Sequence, residues 1–112
     1  AARGLATTAF ERRRKMGRRR GTNEDGRKFD PERVEQVWQQ GRKIPGKDPD
    51  LYRRDAVGNV LYKPSYGKDS EKGWEVDHKR PVDKDGTDNL RNLQPLQTDE
   101  NREKSNRYPW KP

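Results

Sequence analysis

Apolar side chains are too scarce in this chain to build a large core. They make up 25% of the 112 residues, and charged residues make up 41%. An ordinary globular domain is roughly 45–50% apolar, counting Gly. A chain of this length is expected to form one domain. Its composition also predicts some disorder, because such segments bury too little surface to offset their ordering entropy. There is no Cys, which excludes a disulfide framework, a cysteine zinc site and a thiol nucleophile. No stretch approaches the roughly 18 apolar residues of a membrane helix. No apolar segment follows the first basic residues, so no secretion signal is read, and a cytoplasmic or delivered protein is expected. Starting at Ala1, the chain reads as a fragment or a processed form.

The net charge of +8 points to a polyanion, nucleic acid before a membrane surface. It is unevenly placed. Residues 1–28 hold ten Lys and Arg against three acids, and residues 29–112 hold seventeen against sixteen. The expected organisation is a basic N-terminal arm over 1–28, flexible or partly helical, on a nearly neutral body over 29–112. Arg12, Arg13, Arg14, Arg18, Arg19 and Arg20 are candidate phosphate contacts, binding through counterion release. The competing reading of the same run is a solvated linker or a localisation-type tract.

Along the body, Asp30-Pro31-Glu32 opens a helix predicted over 31–40, with Asp30 as cap and Gly41 as stop. Val34, Val37 and Trp38 form its apolar stripe. Residues 56–62 read as two short strands around Gly58-Asn59. Trp74-Glu75-Val76-Asp77-His78 alternates, which predicts a strand with Trp74 and Val76 on one face and Glu75 and Asp77 on the other. A long polar loop follows, with a turn at Asp85-Gly86. A second strand is expected near 92–96. A last helix then runs to about Ser105, capped by Thr98 or Asp99. Trp38, Trp74, Trp110 and the tyrosines are expected to supply much of the core.

The chemistry-bearing residues gather in 73–107. His78, the only histidine, suits general-base work because its ordinary pKa lies near neutrality. Asp77 suits an oxygen-loving metal. Their side chains diverge while the strand persists, but a turn at its end can bring them together. Asn92 can hold a loop through side-chain-to-backbone bonds. Asn101 can ligate a hard metal, and Lys104 shares its helix face. Taken singly, each has an ordinary reading as a surface pair, a turn residue or a polar helix face.

Taken together, Gly73-Trp74-Glu75-Val76-Asp77-His78, Pro81-Val82, Asp85-Gly86-Thr87-Asp88, Asn92-Leu93-Gln94-Pro95-Leu96 and Asn101-x-x-Lys104 resemble the HNH nuclease family in order and spacing. Arg53 to Tyr66-Gly67 looks like the lead-in of some bacterial members. With Val37-Trp38 and Ile44-Pro45-Gly46, the resemblance extends to about residue 32, leaving the basic arm outside.

What the resemblance implies is an α+β chain with a small ββα-metal fold, preceded by a helix and a short hairpin. It also implies a single-metal endonuclease hydrolysing DNA phosphodiesters. On that resemblance His78 is the general base, Asp77 and Asn101 are metal ligands, and Asn92 orients the loop that carries His78. Asn101 stands where many members have a third His, a His-Asn-Asn pattern also seen in the HNH domain of CRISPR effector nucleases. An Asn ligand favours Mg²⁺ or Mn²⁺. The cysteine pairs that hold a structural zinc in many relatives are missing, and Asp85-Gly86 replaces a frequent Gly-Gly. Lys79, Arg80, Arg102 and Lys104 are our own candidates for flanking phosphates. No recognition helix is identifiable, so weak sequence preference is expected. Two other readings stay open: a basic nucleic-acid-binding module without catalysis, in which His78 is structural, and an RNase using the same site. As biological roles, a phage or mobile-element nuclease, a restriction-type enzyme and a delivered toxin domain all fit, the last implying an immunity protein as partner.

Overall fold

The computed structural model describes residues 18–110; Arg12, Arg13 and Arg14 therefore lie outside the described residues. Helix α1 spans Pro31–Trp38. The Asp30 carboxylate accepts from the Arg33 N–H at 2.9 Å, satisfying one of the free donors that open a helix. The helix stops two residues short of the expected end. The exposed Gln40 reaches across there, and its amide donates to the carbonyls of Leu90 and Leu93, both at 2.7 Å. Val37 and Trp38 are fully buried.

Three short antiparallel strands follow: β1 (Arg42–Lys43), β2 (Tyr52–Arg54) and β3 (Val60–Tyr62). The predicted hairpin within 56–62 is corrected here. Its first strand lies at 52–54, pairing Tyr52 with Tyr62 and Arg54 with Val60, and residues 55–59 form the turn. The cause is Asp55, which is 1% exposed. Its Oδ1 accepts from the N–H groups of Val57, Gly58 and Asn59, and Gly58 takes the φ of +110° that the turn requires.

The second sheet is the antiparallel pair β4 (Trp74–His78) and β5 (Leu93–Gln97). Helix α2 (Thr98–Lys104) follows β5 directly, giving the order ββα. The alternation in β4 holds. Trp74 and Val76 are each 1% exposed and join Phe29, Val37, Trp38, Leu61 and Leu93 in the core. Trp38 and Trp74 meet with ring centroids 5.1 Å apart. Glu75 and Asp77 face α2, bonding to Asn101 and Lys104. The cap of α2 is Gln97, whose Oε1 accepts from the Glu100 N–H at 3.0 Å. Thr98 is instead the first helical residue, and its hydroxyl donates to the Lys68 carbonyl at 2.8 Å. Trp110 and Tyr108 lie outside the core, with Tyr108 49% exposed. Among the described residues no helix is long and apolar enough to cross a membrane.

Candidate active site

Strand register does most of the work of assembling the site. Glu75 and Asp77 are two residues apart and share the strand face that α2 covers. Asn101 and Lys104, three apart, share the helix face that meets it. The Asn101 amide donates to Glu75 Oε1 at 2.9 Å. Lys104 is 1% exposed; its ammonium donates to the His78 carbonyl at 2.9 Å and lies 3.2 Å from Asp77 Oδ1. The expectation that Lys104 contacts a flanking phosphate is thus corrected. It points inward and ties the end of β4 to the helix, since a buried ammonium needs its charge and donors matched. Gln94, cross-strand from Asp77, donates to Asp77 Oδ2 at 2.9 Å.

His78 ends β4 and is 4% exposed. Its Nε2 lies 2.8 Å from Asp88 Oδ1. A carboxylate only accepts, so Nε2 carries the proton and Nδ1 keeps its lone pair. Burial pulls the imidazole pKa below its ordinary value, against the opposing pull of Asp88. A neutral ring at neutral pH follows. Burial pushes the Asp77 carboxyl up, and Lys104 and Gln94 oppose that shift. Asp88 belongs to the Asp85-Gly86-Thr87-Asp88 stretch of the resemblance, but its bond to His78 is not legible there, because in sequence it is one polar residue of a turn-rich loop.

Asn92 stitches that loop shut. Its Oδ1 accepts from the Arg80 N–H, and its amide donates to the carbonyls of Arg80 and Thr87, at 2.9, 3.1 and 2.8 Å. Gly86 lets the loop close tightly: a Cβ there would lie 1.7 Å from the Arg80 carbonyl oxygen.

Residues 18–28 pack onto this loop and onto β4. Arg20 Nε donates to Glu75 Oε1 at 2.6 Å. Glu24 and Asp88 bond reciprocally, each carboxylate accepting the other's backbone N–H. Arg18 lines one cleft of about 260 Å³ with Asp77, His78, Asp83, Asn101 and Arg102. Burial lowers the Arg18 pKa, and Asp83, Asp88 and Asp77 raise it. Asp77, His78, Asn101 and Arg102 therefore share a cleft with Arg18 and Arg20. Lys79, Arg80 and Arg19 are exposed on its outside, and Asn92 supports it from the loop.

The donor set suits a hard divalent ion. Asp77 accepts one bond on each oxygen, leaving acceptor capacity. The Asn101 amide donates to Glu75, which leaves its carbonyl oxygen turned elsewhere. Among the described residues, no three His, Cys, Asp or Glu side chains gather as a ligand cluster. Two protein oxygens completed by water and phosphate are what Mg²⁺ commonly accepts.

A family model described as HNH endonuclease matches residues 65–107. That span contains β4, the loop, β5 and α2 whole. No curated protein and no solved structure matches the chain.

Proposed function

Starting from the HNH endonuclease match over residues 65–107, we propose that this protein is a metal-dependent endonuclease that hydrolyses DNA phosphodiester bonds with weak sequence preference. The observation that carries the reading is one cleft lined by Asp77, His78 and Asn101, with the His78 Nε2 held by Asp88.

The roles follow from the atoms. His78 Nδ1 takes a proton from the attacking water, and Asp88 fixes the ring so that Nδ1 is the basic nitrogen. As His78 charges, the Asp88 carboxylate stabilises the imidazolium, as an orienting acid does for other catalytic histidines. Asp77 and Asn101 would hold a divalent ion, Mg²⁺ or Mn²⁺, which when bound supplies Lewis-acid stabilisation of charge on the phosphate. Lys104 and Gln94 fix the Asp77 rotamer from behind. Asn92 keeps the loop between Arg80 and Thr87 closed, so that Asp88 stays in reach of His78. Arg102 and Arg18 line the cleft and attract the anionic substrate, and Arg80 extends the positive surface beside it.

The test is parallel digestion of supercoiled plasmid and of a structured RNA, each with Mg²⁺, with Mn²⁺ and with EDTA. Plasmid cleavage that EDTA abolishes is expected. Cleavage of RNA alone would make the enzyme a ribonuclease. Intact substrates across all metals would leave a nucleic-acid-binding module.

A further inference from the structure

A second hollow opens on the Lys104 side of α2. It has a volume of about 330 Å³ and is lined by Lys79, Gln94, Leu96, Lys104, Tyr108 and Trp110, among others. Through Lys79 and Gln94 it adjoins another of about 320 Å³, bounded by Arg42 and Arg54. The combined groove meets the reaction centre from behind: Gln94 holds Asp77, and Lys79 is the residue after His78.

Its lining is cationic and aromatic. Lys79 is exposed and makes no ion pair among the described residues. Arg42 and Arg54 donate to the carbonyls of Asp55 and Gly58, at 3.0 and 2.7 Å, so no carboxylate pairs with their charge. The single acid of the lining, Asp55, is 1% exposed and committed to its own turn and to Gln97. Tyr108 is 49% exposed with the Arg80 guanidinium 5.8 Å from its ring. Trp110 carries Arg107 at the same distance. The Trp110 indole N–H is shielded from solvent and has no acceptor among the described residues.

We propose that this groove is the track for a single strand of nucleic acid flanking the bond in the cleft. Lys79, Arg42 and Arg54 follow its phosphates, and bases stack on Tyr108 and Trp110. The combination is that of proteins that bind single strands with little sequence preference. An acidic peptide would satisfy the charges but not the two rings. The inference rests on the nuclease reading, and it concerns a different surface.

The test avoids turnover. A fluorescein-labelled oligothymidylate of about ten nucleotides is titrated in EDTA and read by anisotropy, with indole quenching as a second signal. Trp38 and Trp74 are buried, so quenching reports Trp110 and should vanish in Trp110→Phe. Lys79→Ala and Tyr108→Ala should each weaken binding about tenfold. The lysine variant should also lower the salt slope by about 0.7. Lys72→Ala, exposed and away from the groove, should change neither. Because Tyr108 is half exposed, its variant remains folded even where a Trp110→Ala change unfolds the tail. Wild-type affinity in both alanine variants, from a protein that cleaves plasmid, would refute the groove and leave the nuclease standing. Equal affinity for polyglutamate would also overturn it, in favour of an acidic peptide. A wild type that neither binds the oligonucleotide nor cleaves would take down both readings.

Discussion

The unit β4–β5–α2 and the segment 18–28 meet at one cleft, but they are built in opposite ways. In the first, backbone register places the chemistry. Glu75 and Asp77 share a strand face, Asn101 and Lys104 share a helix face, and the two faces meet. In the second, regular structure is absent, and side chains do the fastening across long separations. Arg20 reaches Glu75, 55 residues away, and Glu24 reaches Asp88, 64 residues away. The difference teaches that the groups proposed to react rest on regular elements, while the charge around them is held by side-chain bonds alone. Precise placement suits groups that move protons. Placement within a few ångströms is enough for a cation that attracts phosphates.

The sharpest way to break this contrast is to attack the rigid unit from inside. Lys104→Ala should cost about 3–5 kcal/mol of stability, because it leaves Asp77 buried without its cation. Urea unfolding measures this, and a loss under about 1 kcal/mol would show that the pair is not structural. Asp88→Asn is next. It should lower kcat about tenfold to a hundredfold at neutral pH, as loss of an orienting partner does elsewhere. It should also move the acid limb of the pH profile downward, because Asp88 raises the His78 pKa in the intact protein. An unchanged profile would remove Asp88 from the account. In the wild type that limb should already lie below pH ~6.5, the ordinary imidazole value, because burial lowers the His78 pKa and a base works only when deprotonated. An acid limb centred above that pH would contradict a buried neutral base. The smallest effect is expected from the second region. Arg20→Ala breaks a pair with a 37% exposed arginine, so it should cost at most about 1 kcal/mol. A larger loss in thermal unfolding would make segment 18–28 an integral part of the fold.

How much of this was legible follows the same division. β4 is readable to the residue because Trp74-Glu75-Val76-Asp77-His78 alternates, and α1 begins where Asp30-Pro31 says it should. The end of α1 was not readable, because Gln40 leaves the helix for carbonyls about 50 residues away. The turn at 55–59 hid for a similar reason. Asp55 organises it locally but also accepts from the Gln97 N–H at 3.0 Å, a contact no local pattern displays. The sequence placed Asn101 and Lys104 on one helix face. Whether that face looked to water or to Asp77 depended on where β4 lay. Asp88 stood in the motif without a role, because nothing in sequence shows that its loop returns to His78 Nε2. Arg18 and Arg20 read as part of a charge run, and nothing in that run marks the two that line the cleft.

The central claim is that proton transfer belongs to His78 on the rigid unit, and the most direct test is plasmid cleavage by His78→Ala beside wild type with Mg²⁺. Removing a general base should cost about a hundredfold to ten-thousandfold in rate, with far-ultraviolet circular dichroism close to wild type. Cleavage by the folded variant at the wild-type rate would contradict the account.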